Sequence, residues 1–437
     1  MNSQTLARPP ISMQKRIGII AKLFLAVIII VIIEGALRKW ISQGLTIVLV
    51  ALRDLMAVYA IVLAIKTGQL RFKTTGALVL LGWTVLVMIW SLLQEMVNGP
   101  QPFILLLGLR FWLLYLWLAY AAAVCVTEYE FKVISKYLQA SLFLMLPLVV
   151  IQHFQPPEAF INKQLDDDSF IFQVAAGIVR TTGTFSFTTG YSCYLSLVTP
   201  FMFALASPGL NFWRRKWIPV MSLGTIAAAT AVSGSRTAIS FLVIIFVVYL
   251  ISFLFYTRNR SRSSSASLLI SVVLIIGSFP YILSGAIDAN KERFQGAAEV
   301  ENFSGRTVEM LVGSSEIYRD FPFWGIGIGK GANAAGSTEN QERAFLAGEF
   351  ETERIIRSGG VLGVILIILK ICVCWLGLFK SIQILGGFGN SLPLMLWVST
   401  TGALFLWTIL GQLSVNALGY LLFGVALMSL RFPSIRA

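Results

Sequence analysis

The sequence predicts an all-α, polytopic membrane protein of about 12 transmembrane helices with one large outer, periplasmic loop, and three observations carry that prediction. Of its 437 residues, 57% are hydrophobic and 13% are charged, and the mean hydropathy is +0.79; a soluble domain carries about a quarter charged residues. Runs of about 20 apolar residues, each long enough to cross roughly 30 Å of hydrocarbon as a helix, recur along the whole chain. The basic residues between those runs fall mostly in alternate connections, which gives the spans a direction.

Twelve runs are read, at about 17–37, 45–65, 75–97, 103–126, 133–154, 190–207, 217–233, 236–256, 267–286, 357–379, 392–411 and 413–431. The first lacks a small-residue cleavage site after a short apolar core, so it reads as a retained anchor. Arg8, Lys15, Arg16, Lys66, Arg71, Lys73, Arg214, Arg215, Lys216, Arg258, Arg260, Arg262, Arg431 and Arg436 all fall on one side if twelve spans alternate. That side is then cytoplasmic, with both termini on it. Arg38 and Lys39, in the first outer connection, break the rule. A net charge of +13 spread over short connections forms no stripe for nucleic acid. Cys125, Cys193, Cys372 and Cys374 lie within spans, without metal or redox spacing, and read as packing residues. With no internal repeat, and only an Arg/Ser tract at 258–267 as low complexity, residues 1–437 read as a single transmembrane domain.

Charges within the spans come next. Glu34 and Arg38 are four apart near the outer end of the first span, on one helical face. Arg53 and Asp54 lie about 12 Å into the second at 1.5 Å per residue, and Arg110 lies about as deep in the fourth. A charge at that depth costs roughly 2.5–3.5 kcal/mol on insertion scales, so each requires a partner or a wet cavity. Two readings stay open: neutralising pairs, Arg53 with Asp54 and Arg110 with Glu34, or a cationic pocket reached from the outer face.

The outer loop 155–189 holds Asp166, Asp167 and Asp168, which read as solvated acids before they read as a metal site. His153, the only histidine, reads as a helix-end residue. Arg180-Thr181-Thr182-Gly183-Thr184-Phe185 then leads back into the membrane. In the turn Ser233-Gly234-Ser235-Arg236, either serine can cap the following helix, and Arg236 beside that N-terminus makes a phosphate seat or a snorkelling arginine.

The loop 287–354 is read as a lid and part of an active site. Its run Gly325-Ile326-Gly327-Ile328-Gly329-Lys330-Gly331 fails the phosphate-loop pattern and reads as a flexible hinge. Glu349, Glu353 and Arg357 follow at intervals of four, on one face of a helix expected to run into the tenth span.

Taken in order, these features resemble the O-antigen ligase and O-antigen polymerase superfamily of bacterial inner-membrane glycosyltransferases. The resemblance rests on twelve spans with both termini inside, the Arg-Thr-Thr-Gly-Thr-Phe segment at 180–185 and the Ser-Arg turn at 233–236. It also rests on Gly305-Arg306, the Pro-Phe-Trp-Gly-Ile-Gly-Ile-Gly segment at 322–329 and the helix ending Gly360-Val361-Leu362-Gly363. Glu34-Gly35-Ala36-Leu37-Arg38-Lys39-Trp40 is similar to an exopolysaccharide-associated subset. Ligases of this kind carry a histidine eleven residues before the glycine matching Gly360, and this chain has Glu349 there.

The resemblance implies transfer or polymerisation of undecaprenyl-diphosphate-linked glycans onto a glycan acceptor at the outer face of the bacterial inner membrane. The enzyme would be an inverting, metal-independent glycosyltransferase without cofactor, serving exopolysaccharide or O-antigen synthesis. It implies Arg180, Arg236 and Arg306 on the diphosphate, Arg53 and Arg110 lining the cavity, and Glu349 as base with Glu353 second. Other polysaccharide-export proteins are expected partners besides the lipid bilayer. The alternatives are an anion or solute transporter of the same superfamily and a non-catalytic subunit of an export complex.

Overall fold

The computed structural model describes residues 17–163, 179–207, 210, 213, 217–256, 303–332 and 350–435. Among these the regular structure is helical, with no β-strand. The helices are α1 (Ile19–Trp40), α2 (Leu45–Lys66), α3 (Thr75–Asn98), α4 (Pro102–Leu109), α5 (Tyr115–Cys125), α6 (Glu128–Phe154), α7 (Thr188–Ala206) and α8 (Ile218–Val232). Then follow α9 (Arg236–Tyr256), α10 (Phe303–Val312), α11 (Ser315–Arg319), α12 (Glu351–Gly359), α13 (Val361–Phe388), α14 (Leu392–Leu406) and α15 (Leu413–Arg431). Nine spans among the described residues are long and apolar enough to cross a membrane, α4 and α5 together making one; α8 and α14 are shorter apolar helices. Eleven of the twelve predicted runs coincide with helices; the run 267–286 lies outside the described residues.

Local chemistry explains where the boundaries differ from expectation. Helix α6 starts at Glu128, ahead of its apolar run, because Thr127 and Glu130 form a reciprocal capping box. The fourth span is interrupted by a π-turn over Arg110–Leu114. A π-turn breaks the i→i−4 pattern, and the Phe111 carbonyl within it accepts instead from Asn416 Nδ2 at 2.9 Å. Glu353 and Arg357 do not run into a span on one continuous helix: α12 ends at Gly360, whose φ of +58° is left-handed, and α13 begins afresh.

Hydrogen bonds between chain-distant residues sort the helix ends onto two faces. On the terminal face, Gly18 N–H donates to Glu130, Arg431 Nη1 donates to the Val126 carbonyl at 3.1 Å, and Asn390 donates to the Pro433 carbonyl. On the loop face lie the end of α1, the starts of α2 and α7, the end of α3, the turn before α9, and α12. Helix α7 is the axis, with nearly every residue buried, whereas α2 is buried along only a narrow stripe of small residues and Arg53. Its hydroxyls at Ser192, Ser196 and Thr199 donate back to carbonyls four residues earlier, which satisfies them without water.

Candidate functional site

Three assemblies lie at or just below the loop face. The deepest is a charge network between α1, α2, the π-turn and α5. Arg53, with a fully buried side chain, donates from Nη1 to Glu34 Oε2 at 2.6 Å and from Nη2 to the Leu413 carbonyl at 3.0 Å. Arg110 grips Asp54 through Nε at 2.5 Å and Nη2 at 3.1 Å, and the Tyr115 hydroxyl donates to the same carboxylate at 2.7 Å. The pairing is therefore the reverse of the one expected. Neighbours in a helix point about 100° apart, so Arg53 and Asp54 turn to different partners; they approach each other only to 3.8 Å. Arg53 is enclosed by its partners and lines no open space, whereas Arg110 keeps 13% of its side chain exposed.

The second assembly is the segment 179–187. Gly183, at φ +56°, is anchored through its N–H to Gln152 Oε1 at 2.8 Å, while its carbonyl accepts from Gln152 and from Lys39. Thr181 donates to the Val232 carbonyl at 3.1 Å, just before the Ser233–Arg236 turn. On its other side the segment lies on α1, where a Cβ on Gly35 would stand 2.4 Å from the Ser186 nitrogen and the Thr184 oxygen. Arg38 and Lys39, Arg180, and Arg236 are thus drawn to one region. Ser235 Oγ accepts from Ala238 N–H at 3.3 Å, which caps α9 directly behind Arg236.

The third is built from 322–331 and α12. The glycine run expected to hinge is a strut pinned on two sides. The Trp324 carbonyl accepts from Trp90 and Gln94, Ile328 N–H donates to Gln94 Oε1 at 3.1 Å, and its carbonyl accepts from Trp112 at 3.2 Å. Ile326 and Gly327 N–H groups donate to the Arg357 and Ser358 carbonyls, and Val361 N–H to the Phe323 carbonyl. The glycines serve close approach: a Cβ on Gly329 would stand 1.9 Å from the Ile104 oxygen, and one on Gly360 2.2 Å from the Phe323 oxygen. Glu353, 7% exposed, pairs with Arg357 at 3.0 Å and accepts from Ser314 at 3.2 Å.

No family model and no curated protein matches the chain.

Of the residues singled out from sequence, Arg180 and Arg236 lie at the second assembly and Glu353 at the third. Arg306 belongs to α10, which is tied to α12 through the Thr352 hydroxyl on the Met310 carbonyl at 2.8 Å. Glu349, the Asp166–Asp168 run and residues 287–302 and 333–349 of the expected lid lie outside the described residues. Two features were missed. Glu351, fully enclosed, accepts from Leu410 N–H at 3.0 Å and stands 3.7 Å from Lys370 of α13. Burial pushes its carboxyl above the ordinary range, against the opposing pull of Lys370. A lysine at the tenth residue of an apolar helix was the available signal. The other is Lys39, announced by its breach of the basic-residue rule.

Proposed function

We propose that the chain is a membrane glycosyltransferase that transfers or polymerises lipid-diphosphate-linked glycans at the loop face, taken as the outer face. The observation carrying this reading is the gathering of Arg38, Lys39, Arg180 and Arg236 around the segment 179–187, with neither Arg38 nor Lys39 in an ion pair among the described residues. Such a region suits an anion of high charge density. The order of motifs from 180 to 363, similar to that of ligases and polymerases, supports the same reading.

In the reaction, an acceptor hydroxyl attacks the anomeric carbon, the bond from that carbon to the diphosphate oxygen breaks, and a carboxylate takes the hydroxyl proton. A diphosphate leaves without strong acid catalysis provided its developing charge is met, which is the work of the arginines. Glu349 is the first candidate base and Glu353, paired with Arg357 at 3.0 Å, the second. The deep network matches two arginines with two acids, which lends the anion-transport alternative little support.

The test is turnover of a synthetic undecaprenyl-diphosphate oligosaccharide by purified protein with EDTA present. A product ladder lost in Arg306→Ala and Glu349→Gln establishes a metal-independent polymerase, and transfer of one unit a ligase. Loss in Glu353→Gln alone moves the base to Glu353. A folded protein that turns over nothing with acceptors supplied overturns the reading.

A further inference from the structure

Lys39 is 2% exposed, and its ammonium donates to Thr182 Oγ1 at 2.8 Å and to the Gly183 carbonyl at 3.0 Å, both neutral. No carboxylate stands within ion-pair distance of it among the described residues, and its third N–H has no acceptor there. Its neighbours are donors too. The Trp40 indole N–H is buried without an acceptor, and the Trp40 ring lies 5.1 Å from the ammonium. Arg38, 8% exposed, donates to Thr46 Oγ1 at 3.0 Å and Ser186 Oγ at 3.5 Å, while the nearest acid, Glu34, is engaged by Arg53.

A fastener between α1 and the segment 179–187 requires a hydrogen-bond donor but no charge. A buried charge without a counter-charge is among the costliest groups in a protein, and an uncharged donor avoids that cost. The cost is offset when the counter-charge arrives with a ligand. The geometry points to Arg38, Lys39 and the Trp40 N–H as a phosphate or diphosphate seat, beside the segment that carries Arg180 and formed by residues other than the arginines the sequence motifs assign to the diphosphate. That the diphosphate is the head of the lipid-linked donor rests on the reading above. Lysine supplies a compact point charge and arginine a fork, a pairing suited to adjacent phosphates. Gly35 holds the seat to its place, since any side chain there would lift the segment carrying Thr182 and Ser186 off α1.

Thermal unfolding of purified full-length protein is followed against inorganic pyrophosphate and against farnesyl diphosphate, with sulfate as the control anion, because a ligand bound only to the native state raises its stability by mass action. Lys39→Gln is expected to weaken apparent affinity about ten- to a hundredfold, and Lys39→Arg to retain most of it. Lys132→Gln, on the terminal face, is expected to bind as wild type does. Without anion, Lys39→Gln should unfold no lower than wild type. Unchanged affinity in Lys39→Gln, loss of its anion-free stability alone, equal response to sulfate, or no response of wild type would each overturn the seat. Lys39-dependent binding without glycan turnover leaves the seat and removes the glycosyl-transfer reading. Wild-type turnover by Lys39→Gln does the reverse.

Discussion

Glu34, Arg53, Asp54 and Arg110 form two ion pairs held where water is scarce, and each pair is secured more by the cost of breaking it than by the gain of making it. Glu34→Leu leaves the enclosed Arg53 guanidinium with only Asp54, at 3.8 Å and already held by Arg110, as a nearby carboxylate. It is expected to destabilise by about 3–5 kcal/mol, measured as denaturant unfolding in detergent, and Glu34→Leu with Arg53→Met should recover most of the loss. Glu351 makes a prediction of opposite kind. Its folded carboxyl titrates above the ordinary value because of burial, so the native state holds its proton to higher pH than the unfolded chain does. The stability linked to this group is fully present below the unfolded value of about 4.3 and is lost as pH rises through the raised folded value. Unfolding temperature against pH should therefore fall across that window in wild type, and the slope should flatten in Glu351→Gln.

At the scale of elements, the strut 322–331 and the break at Gly360 are one device: two backbones in contact, each with glycine where the other passes. Gly360→Ala combines a left-handed φ with an oxygen 2.2 Å from the added carbon. About 2–4 kcal/mol of destabilisation is expected from strain and overpacking, with proteolysis between 322 and 332 rising before any change near the termini. Asn416→Leu strands the Phe111 carbonyl of the π-turn at a cost of about 1–3 kcal/mol. Because the turn re-aims Arg110, retention of turnover by this variant would separate Arg110 from catalysis. The spans were legible because hydropathy needs no partners to be read. The strut was not, because the same glycines serve a hinge or a close approach, and only the facing backbone distinguishes them.

Across the whole molecule, alternation of spans places Glu158 and Lys330 on one face and Lys66 and Lys73 on the other. Cysteine introduced at Glu158 should react with a membrane-impermeant thiol reagent added outside intact cells, and cysteine at Lys73 only after permeabilisation; the opposite pattern would invert the orientation and move the proposed chemistry to the cytoplasm. Hydropathy runs were enough to predict the membrane class and the eleven runs that coincide with described helices, since both depend on the bilayer rather than on neighbouring helices; the direction expected from the basic residues is what the cysteine labelling tests. Charge partners are another matter. Arg53 pairs with Glu34, Arg110 with Asp54 and Glu351 with Lys370 because helix rotation and packing set which side chains meet, and the segment 179–187 reaches both α1 and the α8–α9 turn only in the assembled bundle. Those meetings depend on residues as much as 152 positions apart, a separation over which sequence pattern carries no distance and only tertiary packing does.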